Sequence, residues 1–185
     1  MTEAHGDGTA SGPVTASEGV SASGTTVREA TADDAAAMVV LRAVMFEAMG
    51  TPPEQLADGA WRRAAHDWFV ERTGAPGVRV VVVEVDRQVV AGAVGEVTAL
   101  VPGPTTPNGS VGLISNVATL PGHRGRGLAS AVTDDLLAWF TEHTDVTRVD
   151  LFATSAGARL YAPRGFTVRA FPAMSLPVPR PRGPG

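Results

Sequence analysis

Two residue types on which much enzyme chemistry depends, cysteine and lysine, are absent from the sequence. All fifteen residues counted as lysine or arginine are arginine. Without cysteine, the chain has no disulfide, no thiolate metal ligand and no cysteine-bound acyl intermediate. Without lysine, Schiff-base catalysis and Walker-type phosphate loops are excluded, because both need its amine. A chain without cysteine also fits a reducing compartment, so we expect a cytoplasmic protein.

Long apolar runs and an excess of positive charge are also missing. The apolar run at residues 80–83 is too short to cross a bilayer. The first 35 residues contain no basic segment followed by an apolar one, as a secretory signal would. The formal net charge is −4, whereas nucleic-acid-binding domains present a basic surface. We therefore expect neither a membrane nor a nucleic acid as a partner.

The composition divides the chain into a folded middle and two tails. Glycine, alanine, serine and threonine dominate residues 1–25, and proline dominates residues 177–185. Segments with so few large apolar groups do not bury enough surface to offset the entropy of ordering them. The sequence therefore predicts a disordered N-terminal tail at 1–25, one domain at 26–176 and a proline-rich tail at 177–185.

Within the domain, strand and helix patterns alternate. Apolar residues at helical spacing predict helices around Met38, Trp61 and Val132, with a short fourth helix at 156–162. Asp86 and Arg87 predict a hairpin turn. Strands are predicted at residues 26–30, 78–85, 89–100, 110–119, 148–154 and 166–176. This order indicates a single α/β (α+β) domain with a mixed sheet.

A glycine-rich basic loop lies between a predicted strand and a predicted helix. The first backbone N–H groups of a helix have no intrahelical acceptor, and the helix dipole there favours an anion. Two glycines let a phosphate approach the backbone, and two arginines add positive charge. The pattern predicts a phosphate or pyrophosphate site, although a basic loop that only turns the chain has the same composition. The loop consists of Arg124, Gly125, Arg126, Gly127, Leu128 and Ala129.

At these residues the sequence resembles the GCN5-related N-acetyltransferase (GNAT) family. The family's coenzyme A signature is Arg or Gln, two residues, Gly, one residue, and Gly or Ala, which Arg124, Gly127 and Ala129 match. A second similarity is the segment from Leu160 to Phe166, which contains the family's Leu-Tyr and Gly-Phe pairs. The resemblance implies a mainly antiparallel sheet flanked by helices, and acetyl-CoA as co-substrate.

The same resemblance implies roles for further residues. A strand bulge of the family holds the pantetheine arm and polarises the thioester, and here its residues are Val117, Ala118 and Thr119. Thr154 stands where the family often has an asparagine that contacts the pantetheine. Many members carry a glutamate base on the strand before the loop, but residues 113–116 of this chain contain no carboxylate.

Two side chains are candidates for the proton transfers. Tyr161, the only tyrosine, is implied by the resemblance to be the general acid near the cofactor sulfur, and an aromatic residue packed on the core is the alternative. Glu96, in the middle of a strand, is a candidate base for the amine, and a solvent-facing strand residue is the alternative. Scattered histidines without a ligand spacing predict no metal.

The expected function is therefore direct transfer of an acetyl group from acetyl-CoA to an amine. The acceptor is a small molecule or a peptide or protein amine, and the sequence does not distinguish them. A coenzyme A-binding regulatory module without catalysis is the alternative, motivated by the missing strand glutamate and by Thr154. A homodimer is left open.

Overall fold

The computed structural model describes residues 24–155, 157–171 and 173–178. The chain divides into two compact units, one ending at Phe152 and one beginning at Ala153. The predicted N-terminal tail lies, up to residue 23, outside the described residues, and so do residues 179–185 of the predicted C-terminal tail.

A five-stranded sheet in the order β1-β2-β3-β4-β5 forms the centre of the first unit. The first four strands pair antiparallel with their neighbours, and β5 pairs parallel to β4. The mixed, mainly antiparallel sheet confirms the predicted fold class. The strands are β1 Thr25–Glu29, β2 Val78–Val85, β3 Gln88–Ala99, β4 Ser110–Thr119 and β5 Val149–Leu151.

The helices follow the predicted order with one addition. The short α2 was not predicted, because five residues that begin at the second of two prolines are too few to show helical periodicity. The helices of the first unit are α1 Ala35–Ala48, α2 Pro53–Ala57, α3 Gly59–Arg72 and α4 Leu128–His143. The second unit contains α5 Ala158–Tyr161.

Helices α1 and α4 cover opposite faces of the sheet. A Cβ atom added to Gly92 of β3 would lie 2.7 Å from Sδ of Met38 in α1, whereas one added to Gly95 would lie 3.2 Å from the ring of Phe140 in α4. Successive strand residues alternate between faces. Glu96 therefore shares the α1 face of β3 with Gly92, and α3 packs against α1 on the same side.

One partly buried ion cluster ties β1 to the start of α1. Arg28 donates hydrogen bonds to Asp34 and to Glu84, the shortest at 2.8 Å in each case. The Arg28 guanidinium lowers the pKa of the Asp34 carboxyl, against the opposing effect of burial. The same carboxylates raise the pKa of Arg28. The charged forms of these groups are therefore favoured in the folded protein.

Two strand predictions near the C-terminus were wrong. Strand β5 covers three residues rather than 148–154. Its ladder with β4 ends at Leu151, opposite Ile114, two residues before the bulge of β4 at Asn116. The predicted strand at 166–176 is absent from its described residues, where Val168, Phe171 and Met174 are exposed. A proline at position 172 supplies no N–H group for a ladder.

No helix in the described part of the chain combines the length and the apolar character that a membrane crossing requires.

Candidate functional site

A β-bulge interrupts β4 where it faces the middle of β3. Gly92 pairs with Ala118 and Val94 with Ser115, so two steps along β3 face three along β4. Asn116, within the bulge, has φ of 55°, in the left-handed region that asparagine tolerates better than most residues. Such bulges redirect backbone groups out of the ladder.

The residues predicted to hold the pantetheine arm lie at this bulge and directly after it. Val117 lies next to Asn116 in the unpaired stretch, Ala118 pairs with Gly92 directly after it, and Thr119 ends the strand. The hydroxyl of Thr119 is buried and has no hydrogen-bond partner in the part of the chain that the structure describes. The chain then turns through residues 121–123 into the glycine-rich loop.

The glycine-rich loop leaves open space above its backbone. Gly125 and Gly127 have φ of 73° and 77°, and a Cβ atom added to either would meet no atom within 4 Å. Helix α4 begins at Leu128, whose side chain is buried. The exposed N-terminus of α4 and the two glycines thus fit an anionic group such as a pyrophosphate.

The arginines of the loop are exposed and held by short local contacts. Nε of Arg124 donates to the carbonyl of Thr119 at 3.3 Å. Nη1 of Arg126 lies 3.2 Å from Nδ1 of His123. Both guanidinium groups keep further N–H donors that a phosphate oxygen can accept.

A pocket of about 720 Å³ opens on the α1 side of the sheet. Glu96 lines this pocket and is partly buried, so it is not simply a solvent-facing strand residue. Most of the other lining side chains are aromatic or apolar. The pocket is lined by Arg42, Phe46, Thr51, Gln55, Leu56, Trp61, Ala64, Ala65, Trp68, Phe69, Val94, Glu96, Ser115 and Asn116.

Arg42 and Asn116 form a polar pair in this pocket that sequence reasoning missed. Nη1 of Arg42 donates to Oδ1 of Asn116 at 3.1 Å, and the guanidinium carbon lies 4.8 Å from the ring centroid of Phe46. Burial lowers the pKa of Arg42, although an arginine stays charged in proteins. The sequence feature that could have indicated this pair is Arg42 itself, an arginine four residues after Met38 on the apolar face of α1.

The second unit contains the other two predicted site residues. Oγ1 of Thr154 accepts a hydrogen bond from the backbone N–H of Gly157 at 3.1 Å. Tyr161 is 8% exposed and packs edge-on against Phe166, with 5.8 Å between ring centroids. Burial raises the pKa of the Tyr161 phenol, partly offset by Arg164.

Among the described residues no three His, Cys, Asp or Glu side chains cluster closely enough to hold a metal ion.

Comparison with known proteins gives a consistent result. A model of the acetyltransferase (GNAT) family matches residues 41–166. A GCN5-related N-acetyltransferase from Ralstonia eutropha JMP134 is similar at 29% identity and a TM-score of 0.74, over 84% of this chain and 99% of that one. No curated protein sequence matches the chain.

Two further solved structures share the fold at lower identity. A predicted acetyltransferase from Clostridium acetobutylicum, solved with acetyl-CoA, is 22% identical with a TM-score of 0.71, over 82% of this chain and 96% of that one. A ribosomal-protein-alanine N-acetyltransferase from Brucella melitensis is 17% identical with a TM-score of 0.59, over 83% and 99%.

Proposed function

The chain belongs to the acetyltransferase (GNAT) family, and on that premise we propose that it transfers the acetyl group of acetyl-CoA directly to an amine. The observation that carries this proposal is the continuous path from the β4 bulge through the glycine-rich loop into α4. The similar structure from Clostridium acetobutylicum was solved with acetyl-CoA, which supports the choice of co-substrate.

We assign binding of the coenzyme A pyrophosphate to the glycine-rich loop and the start of α4. The open space above Gly125 and Gly127 supports this assignment, because a phosphate must approach the backbone closely. Arg124 and Arg126 neutralise its charge, and the backbone at Val117 and Ala118 holds the pantetheine arm. Thr154 is proposed as a further contact of that arm.

The chemistry requires one bond exchange and two proton transfers. The neutral amine attacks the thioester carbonyl carbon, a C–N bond forms, and the C–S bond breaks. Backbone N–H groups at the bulge stabilise the developing oxyanion. Glu96 accepts the proton of the amine, and Tyr161 donates a proton to the departing thiolate. The products are an N-acetylated amine and coenzyme A.

Release of free thiol from acetyl-CoA in the presence of a panel of amines tests this function. Because the chain has no cysteine, an acetylated thiol on the enzyme is excluded, and we expect the two substrates to meet in a ternary complex. Initial-rate plots should therefore intersect. Parallel lines would contradict direct transfer, and binding of acetyl-CoA without amine-dependent thiol release would support a regulatory module instead.

A further inference from the structure

Arg42 is a partly buried cation without a carboxylate partner among the described residues. The other partly buried arginines of the sheet region are paired: Arg28 with two carboxylates, Arg79 with two, and Arg148 with one. Arg42 has a single side-chain hydrogen bond, to a neutral amide, and faces the pocket. A guanidinium removed from water normally has an anion to offset its lost hydration.

The side-chain amide of Asn116, beside Arg42, also has a hydrogen-bond donor that lacks an acceptor. Asn116 is 4% exposed, and its Oδ1 is occupied by Arg42. Its Nδ2 has no acceptor within the described part of the chain. A buried amide N–H without an acceptor is costly, so this pair lacks an acceptor group. A carboxylate fits, because its two oxygens match the planar guanidinium fork and can also accept from the amide.

The carboxylate of Glu96, opposite in charge to Arg42, lies on the α1 face of β3. Val94 pairs with Ser115, next to Asn116, and Glu96 follows two residues later on the α1 face. Two strand residues span about 7 Å. The pocket thus presents two donors at one point and a carboxylate at another, at a separation that the α-carboxylate and α-amine of one amino acid can bridge.

Four aromatic side chains also line the pocket. Phe46 and Trp61 meet edge-to-face, with 6.1 Å between ring centroids, and Trp68 also lines the pocket. Such a surface favours a large apolar group over a polar or charged one.

We propose that the acceptor is a free amino acid with a large apolar side chain. Its carboxylate binds Arg42 and Asn116, its amine faces Glu96, and its side chain packs against the aromatic wall. This inference rests on the proposed acetyl transfer and names the substrate class of the same site. It excludes protein amines, since neither a chain terminus nor a lysine side chain carries a carboxylate next to its reactive amine.

The test compares L-phenylalanine with L-phenylalaninamide, which has the same side chain and amine but no carboxylate. Calorimetry in the presence of coenzyme A measures binding, and thiol release from acetyl-CoA measures turnover. The acid should bind more tightly, and have a higher kcat/KM, by about 10- to 100-fold, the effect of charge-assisted hydrogen bonds.

Two variants examine the anion site. Arg42→Met should reduce the preference for the acid to within a few-fold. Asn116→Asp keeps a side chain that tolerates the left-handed backbone and places a carboxylate beside Arg42, so it should also weaken binding of the acid. Arg72→Met, an exposed arginine of α3 outside the pocket, is the matched control and should leave the preference unchanged.

The outcomes separate this inference from the function on which it rests. Equal binding of acid and amide by the wild-type protein would overturn the amino-acid proposal, even if both are acetylated. An unchanged preference in a folded Arg42→Met protein would overturn it too. Tight, Arg42-dependent binding of L-phenylalanine without thiol release would support the pocket assignment and instead contradict acetyl transfer.

Discussion

At the scale of single residues, burial favours the protonated form of Tyr161, the general acid of the proposed reaction. A phenol with an ordinary pKa of about 10 is already protonated near neutral pH. Burial of Tyr161 raises its pKa further, because the charged phenolate is disfavoured away from water. Tyr161 therefore keeps the proton that it would donate at neutral pH.

Tyr161→Phe should lower kcat by about 10²- to 10⁴-fold, the usual effect of losing a general acid. The ring and its packing against Phe166 are retained, so acetyl-CoA affinity and thermal stability should change little. Steady-state kinetics with the best amine, together with calorimetry of acetyl-CoA binding, measure the two effects. A variant with nearly wild-type kcat would assign the proton donor to water or another group.

Asp34 allows a prediction of stability against pH. Its pKa is lowered by Arg28, so the folded form binds its proton less tightly than the unfolded chain does. The resulting stabilisation is complete above the unfolded pKa of about 3.9 and is lost as pH falls through the folded value. Asp34→Asn should thus destabilise the protein at pH 7 by about 2 kcal/mol, less than for a fully buried pair.

The difference between this variant and the wild type should shrink in urea unfolding below pH 4. Asp33→Asn, at the exposed neighbouring position, is the control and should have little effect. A deficit for Asp34→Asn that is the same at pH 7 and pH 3 would mean that packing, rather than ionisation, explains the loss.

At the scale of elements, the sequence correctly predicted the strands, turns and helix starts that depend on neighbouring residues. Strand β2 was predicted at its observed bounds, because six valines in eight residues favour a buried strand. The hairpin at Asp86 and Arg87 was also correct, and both residues have the positive φ that tight hairpin turns need. The start of α4 followed from the glycines before it.

The errors concern elements whose extent depends on distant partners. The ladder of β5 ends two residues before the bulge of β4, and no feature of residues 148–154 encodes that. The pocket also depends on residues that are distant from one another in the sequence. Arg42 and Asn116 are 74 positions apart, and only the packing of α1 on the sheet brings them together. Glu96 could be assigned to its face because alternation along a strand is a local property.

The glycine-rich loop provides a prediction at this scale. Gly127→Val should abolish acetyl-CoA binding, because the added side chain fills the space above the loop and strains a left-handed backbone. Gly127→Asn tolerates that backbone and should fold normally, yet still bind weakly. Gly103→Val, where the added Cβ also meets open space, is the control. Calorimetry showing wild-type affinity in the two Gly127 variants would place the pyrophosphate elsewhere.

At the scale of the whole molecule, the sequence predicts that the first 24 residues contribute little to the folded domain. They contain four acidic or histidine side chains but few large apolar groups. Removing them should leave the melting temperature and acetyl-CoA affinity unchanged within error. A drop of several degrees in differential scanning calorimetry would show instead that this segment packs against the rest of the protein.

The bulge in β4 has a consequence for how the strand tolerates change. Ser115 and Ala118 are three residues apart, and in a regular strand they would point to opposite sides. Here Ser115 lines the pocket and Ala118 packs in the α1 core, on the same side of the sheet. Strand β4 is thus two segments of opposite phase joined at Asn116. Deleting one residue there would leave Ser115 and Ala118 two residues apart and still on the same side, so it would remove the bulge without inverting either segment. The same deletion in a regular part of β4 would instead exchange inside for outside in every residue on one side of it.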